Sequence, residues 1–186
     1  MRERLLDIAT LRTGIFAKPS SEGELVYLQV KHFDESGNLQ QKLFLDLPSK
    51  WIGEQHLLKP GDVLFAAKGV KNFAAVYEQR NEPAVASTSF LVLRLNTTQV
   101  LPEYLAWFLN SDAILMQLKA QAIGTSIPSI SKQVLEAMAV PIPELNIQNT
   151  VIQVSKLRKK EAALKESIEA LREKQLQYII HKAINK

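Results

Sequence analysis

Residues 146–184 constrain everything that precedes them. No Gly or Pro interrupts this stretch, and those two residues cost a helix interior most. Its apolar side chains recur every seven positions. Leu157, Leu164, Leu171 and Tyr178 form one row, and Ile147, Val154 and Ile168 form a second, whose polar members are Glu161 and Gln175. Alternating steps of three and four residues are the pattern of a coiled-coil seam. The stretch therefore predicts one continuous helix, a rod of roughly 58 Å at about 1.5 Å per residue, where an average helix has only about 11–12 residues. A rod of that length cannot bury its seam on one ordinary domain, so it needs a second helix.

The 186 residues leave room for one domain of ordinary size, 1–145, in front of the helix, 146–186. At 46% hydrophobic and 23% charged the chain can afford a folded core. It has no cysteine, which removes disulfides, thiolate metal sites and thiol nucleophiles and fits a reducing cytoplasm. The start, Met1 to Arg4, leads into no apolar stretch of signal-peptide length, and no run of about 18 apolar residues occurs. A cytoplasmic protein with no membrane partner is the expectation.

The net charge of +4 invites a nucleic-acid reading, but its distribution is uneven. From Asn146 onward nine Lys and Arg stand against four Glu, giving +5; over 1–145 the count is fourteen against fifteen, giving −1. A DNA-binding domain here must use a local patch rather than a bulk positive field. The basic run 156–160 also reads simply as a solvated helix face.

Taken in order, the first part is β-rich. Strands are expected at 25–30, 43–47, 62–67, 73–77, 84–86 and 90–95, with a short helix at 51–58 and a firm turn at Pro60 and Gly61. Between them lie Lys31 and His32, at the end of the first strand, and a tight basic loop holding Lys68, Gly69, Lys71 and Asn72. The texture turns helical at Pro102, a helix-start proline, with a second helix from Asp112 capped by Ser111 and packed through Ile114, Leu115 and Leu118. A hydroxyl-rich connection carries Thr125, Ser126 and Ser129, and a short helix at 131–137 includes Lys132. An edge strand at 138–142 is bracketed by Pro141 and Pro143, and Asn146 is the expected cap of the rod. The fold class is α/β in the α+β sense: a β-rich globular domain followed by one long C-terminal coiled-coil helix.

No chemistry announces itself. His32, His56 and His181 lack metal-ligand spacing, so no metal site is implied. Phosphate-loop, dinucleotide and nucleophile-elbow motifs are absent, and the glycine-bounded stretch 61–69 places its lysine before a glycine rather than before Ser or Thr. No carboxylate pair reads as an acid and a base. The residues alone describe a non-enzymatic domain with a dimerisation rod.

The order of features resembles a type I restriction-modification DNA specificity subunit, or one half of one: a single target recognition domain followed by one spacer helix. The resemblance rests on LDIA at 6–9 leading to Gly14, LKPGDVL at 58–64 with Gly69 beyond, and ASTSF at 86–90. It is stronger over LPEYLAWFLNS at 101–111, GT at 124–125, VPIPELNIQ at 140–148, and Val151 with Ile152. Each motif is weak alone, while the order and spacing are specific. One departure is Ile147, which stands before Gln148 where the family usually has Glu.

The resemblance implies a protein without catalysis or a cofactor of its own. It would read double-stranded DNA and dock a methyltransferase (modification) subunit and a restriction subunit, which bring S-adenosylmethionine, ATP and Mg²⁺ chemistry. Candidate DNA contacts are Lys31, His32, Lys68, Gly69, Lys71, Asn72, Thr125, Ser126, Ser129 and Lys132, with Asn72 able to pair with adenine and Lys68 or Lys71 with guanine or phosphate.

The seam also indicates how two helices would pair. In a parallel, in-register pair Glu161 faces its own copy, and like charges abreast in a seam are unfavourable. In an antiparallel pair centred near residue 166, Leu157 faces Gln175, Leu164 faces Ile168, Leu171 faces Glu161 and Val154 faces Tyr178. The expectation is an antiparallel homodimer, or pairing with another half-specificity subunit, recognising two inverted half-sites across an unread gap. Two rivals remain: a protein-interaction module with a coiled-coil recruitment helix, which the −1 charge of 1–145 favours, and an independent dimeric DNA-binding regulator.

Overall fold

Prolines and glycines cut the first three quarters of the chain into short elements, and the uninterrupted remainder winds into one helix. The computed structural model describes residues 1–34, 37–39, 43–50, 52–78, 83–124 and 127–185. It divides into two compact units, Met1–Gln148 and Asn149–Lys186. The first is a mixed α/β domain of three small sheets and several helices.

The chain opens on β1 (Arg2–Arg4) and a single helical turn, α1 (Leu5–Ile8). β1 pairs antiparallel with β9 (Ala139–Pro141), and bonds from Leu5 N to Met138 O (2.8 Å) and from Ile142 N to Met1 O (2.8 Å) extend the pairing. β9 has one strand neighbour among the described residues, in keeping with the proline that ends it, which has no N–H for a second ladder.

The central sheet is antiparallel in the order β2 (Ala9–Thr13), β8 (Phe90–Leu95), β5 (Val63–Ala66), β6 (Ala74–Val76). A third sheet places β3 (Leu25–Leu28) between β4 (Leu45–Leu47), antiparallel, and β7 (Ala84–Ala86), parallel. All four β3 residues are buried because the strand feeds two cores. Val26 and Leu28 join Phe33, Leu64, Phe73, Phe90 and Val92 on one side; Leu25 and Tyr27 join Leu47 and Val85 on the other. The rings of Phe33, Phe73 and Phe90 pack mutually at centroid distances of 5.4, 5.7 and 6.0 Å, a spacing at which tilted and edge-on pairs attract.

The sequence places several boundaries differently from the structure. The strand expected at 25–30 stops at Leu28, and Val30–His32 form a single 3-10 turn, because the Gln29 N–H is taken by His32 Nδ1 (3.3 Å) instead of a neighbouring strand. The helix expected at 51–58 is only a 3-10 turn at Glu54–His56, and Trp51 lies outside the described residues. The chain leaves the helical path because Leu58 N bonds to Ala84 O (2.9 Å) instead of to a carbonyl one turn back; the free carbonyls in and just after the turn are taken by arginines, Arg12 donating to Gln55 O and Arg12 and Arg94 each donating to Leu57 O at 3.1 Å. Both arginines also face Asp62, whose buried carboxylate accepts Arg94 Nε at 2.7 Å and Nη2 at 2.6 Å. That bidentate pair fixes the entry to β5.

The helices follow their sequence signals more closely. α2 (Pro102–Leu109) begins on its proline, and α3 (Asp112–Ala120) follows Ser111, whose hydroxyl donates backward to Phe108 O (2.8 Å) rather than capping forward. Between them Asn110 acts as a strand mimic, its amide accepting from Ala74 N and donating to Ala74 O, both at 2.7 Å, along the edge of β6. Only Leu118 of the expected inner face of α3 is fully buried, with Ile114 and Leu115 half-buried. α4 (Lys132–Glu136) is capped by Ser131 Oγ, which accepts from Val134 N at 3.2 Å.

The long helix, α5, runs Leu145–Ile184. It starts one residue before the expected cap, so Asn146 lies in its first turn, with Oδ1 turned to Ile147 N (2.6 Å). The side chain that organises this end is Gln148, wholly buried. Its Oε1 accepts from Leu101 N (2.9 Å), and its Nε2 donates to Gln99 O (2.7 Å) and Pro143 O (2.8 Å). Among the described residues no helix is long and apolar enough to cross a membrane.

Candidate nucleic-acid interface

The loop 67–73 connects β5 to β6, and its base is held from inside. Ala66 N bonds to Phe73 O (2.8 Å), and the buried amide of Asn72 donates Nδ2 to Ala66 O (2.9 Å). Lys71 is turned inward as well, Nζ donating to Phe33 O at 2.6 Å. The tip is open. Gly69 takes φ +86°, and a Cβ there would meet nothing within 4 Å, so the requirement for glycine is conformational rather than spatial.

The second hydroxyl-rich loop lies directly against the first. Gly69 N donates to Pro128 O (2.8 Å), Ile130 N donates to Ala67 O (2.9 Å), and Lys68 forms a bridge with Ser129. Ser129 is tied in turn to Ile123 by reciprocal bonds of 3.0 and 2.9 Å, closing a turn around Gly124. Gly124 has φ +115°, and a Cβ there would lie 2.7 Å from Ile127 O, so both conformation and space exclude a side chain.

Three sequence-nominated segments thus converge. The 68–72 and 127–130 segments share backbone bonds, and the 31–33 turn joins them through Lys71 and the Phe33–Phe73 ring contact. Their side chains divide by role. Lys31 and Lys68 are exposed; Lys132 is exposed and paired with Glu136 at 3.4 Å; His32, Gly69, Lys71 and Ser129 are half-buried; Asn72 is buried. Thr125 and Ser126 lie outside the described residues. Burial holds His32 below the ordinary histidine range, with the charge of Lys31 adding to it and Asp46 opposing, so it offers a neutral imidazole near neutral pH.

Two features escaped the residue-by-residue reading. Val70, Ile123 and Ile127 are large apolar side chains standing exposed in these same loops. The stretches 63–77 and 113–135 contain no Asp or Glu, yet carry Lys68, Lys71, Lys119 and Lys132. The second was legible as a charge pattern. Its meaning depended on knowing that the two stretches meet. Among the described residues no three His, Cys, Asp or Glu side chains gather as metal ligands.

On α5 the seam residues Val154, Leu157, Leu164, Ile168, Leu171 and Tyr178 are all exposed, as are Glu161 and Gln175. Glu161 pairs along its own helix with Lys165 Nζ at 2.7 Å. Leu176, Ile179, Ile180 and Ile184 are exposed as well, which broadens the apolar stripe toward the C-terminus beyond the two expected rows.

A family model described as the type I restriction modification DNA specificity domain matches residues 53–171, and the chain belongs to that family. Solved structures share the fold. One is a chain solved to explain complex assembly and conformational transition of the type I R-M system (TM-score 0.63, 18% identity, 90% of this chain and 40% of that one). A second is the type I restriction-modification S subunit from M. genitalium (0.59, 14%, 86% and 39%). A third is the HsdS subunit from Thermoanaerobacter tengcongensis (0.58, 22%, 92% and 46%). The chain spans less than half the length of each of them. No curated protein matches it in sequence.

Proposed function

We propose that the chain is a non-catalytic DNA-specificity subunit, one recognition domain and one spacer helix, that directs a methyltransferase and a restriction subunit to a bipartite gapped site. Family membership supplies the class, and one observation carries the assignment of the reading surface. Two acid-free, lysine-bearing stretches of a domain with net charge −1 are bonded side by side, Gly69 N to Pro128 O. That is the local patch a polyanion needs when the bulk field is absent. Lys68 and Lys132 supply phosphate contacts, and Ser129 and the neutral His32 supply polar groups for base edges.

The exposed seam on α5 supports pairing of two chains. Antiparallel pairing keeps Glu161 and Gln175 from meeting their own copies and relates two identical readers by a twofold axis. The target is then a gapped palindrome, with half-sites separated by at most about 17 base pairs, the length of a rod of roughly 58 Å. A partner half-subunit of different sequence would make the two halves unequal. Co-expression with the cognate methyltransferase, followed by genome-wide mapping of modified bases, tests the whole reading. A gapped inverted repeat is expected. An asymmetric pattern overturns the homodimer, and no sequence-specific modification overturns the specificity role.

A further inference from the structure

Loops of soluble domains ordinarily turn polar groups to water and apolar groups inward. Positions 70–72 of the loop 67–73 do the reverse. Lys71 and Asn72 are drawn in to the carbonyls of Phe33 and Ala66, while Val70 between Gly69 and Lys71 is 83% exposed. The loop bonded to it also exposes apolar groups, with Ile123 at 74% and Ile127 at 66% exposure on either side of Gly124. Scattered surface hydrophobics need no explanation. Three on segments joined by Gly69 N to Pro128 O and Lys68 to Ser129 form a patch that marks an interaction site.

Charge decides what the patch meets. Of the four lysines on the stretches that carry it, Lys71 is spent on Phe33 O and Lys132 on Glu136, which leaves Lys68 and Lys119 exposed and no carboxylate within either stretch, so the occupant is a polyanion that also presents apolar groups. The major groove of DNA is such a surface, its one apolar feature being the C5-methyl of thymine. We infer that Val70 and Ile127, with Ile123 beside them, read thymine by packing on its C5-methyl while Lys68 holds the neighbouring phosphate. This rests on the DNA-reading function proposed above and adds a base and a chemistry to it.

The test uses the full chain in complex with its methyltransferase on a duplex carrying the mapped site, with each thymine replaced in turn by deoxyuridine, which lacks only the methyl. At one or more positions the wild-type complex should lose roughly fourfold in affinity, the worth of one buried methyl-sized group. The double variant Val70→Ser, Ile127→Ser should bind both duplexes alike while melting at the wild-type temperature. Wild-type indifference to every replacement overturns the inference and leaves DNA reading intact, as does a variant that still discriminates. A variant that no longer co-purifies with the methyltransferase overturns the inference and reassigns the patch to protein contact. No sequence-specific binding by the wild-type complex overturns both proposals.

Discussion

Gln148 shows how much a single buried polar side chain can be asked to hold. It satisfies Leu101 N, Gln99 O and Pro143 O at once, and a Gln148→Leu substitution takes that partner from all three part-buried groups. Chemical denaturation should show a loss of at least about 1–3 kcal/mol, the cost of one orphaned buried polar group; a change under about 0.5 kcal/mol would mean water replaces the amide freely. His32 carries the pH dependence of its turn. Its folded pKa lies below the unfolded value, so below about pH 6.5 the unfolded chain takes up the proton more readily than the folded one. The stability it contributes is present above that pH and is lost as the pH falls through the folded value, where protonated Nδ1 can no longer accept the Gln29 N–H. Melts stepped from about pH 7.5 to about pH 5 should fall more steeply for wild type than for His32→Gln; parallel slopes would remove His32 from the account.

Among elements, the paired loops separate two kinds of residue that look alike in sequence. Lys68 is exposed at the tip, whereas Asn72 is buried and spends its amide nitrogen on Ala66 O. Lys68→Ala should weaken DNA association uniformly across sequences and lower the salt slope by about one unit without moving the melting temperature. Asn72→Ala should instead cost about 1–3 kcal/mol of stability by stripping Ala66 O of its donor. The contrast is read from salt-dependent binding isotherms beside thermal melts. A change in base preference for Asn72→Ala at unchanged stability would return that residue to the reading surface.

For the molecule as a whole, the proposed role of α5 is to set distance. Seven residues inserted after Ser167 preserve the heptad phase and lengthen the rod by about 10 Å, or roughly three base pairs. In an antiparallel pair the unread gap should widen by about that amount, with both half-sites unchanged. Methylation mapping with the lengthened chain checks it, and an unaltered gap would mean that something other than the helix spaces the readers. Replacing Leu164 and Ile168 with Asp, which face each other across the expected twofold axis, should yield a monomer by sedimentation.

Local interactions wrote themselves plainly into the sequence. The 40-residue helix, the proline start of α2, the short helix α4 and the buried strands β5 and β8 are readable because each depends on residues within a few positions of one another. The motif order that places the chain in its family was readable for the same reason. Boundaries failed where a distant partner intervened: Ala84 O took the Leu58 N–H and left only a turn at Glu54–His56, and Gln148 rather than Asn146 organised the start of α5. Tertiary structure alone decided that the 68–72 and 127–130 loops are bonded together, that Asn72 points inward, and that Val70 and Lys68 stand exposed at the tip. Those facts depend on backbone bonds between residues far apart in the chain, and no periodicity or spacing encodes which distant carbonyl a glycine N–H will find.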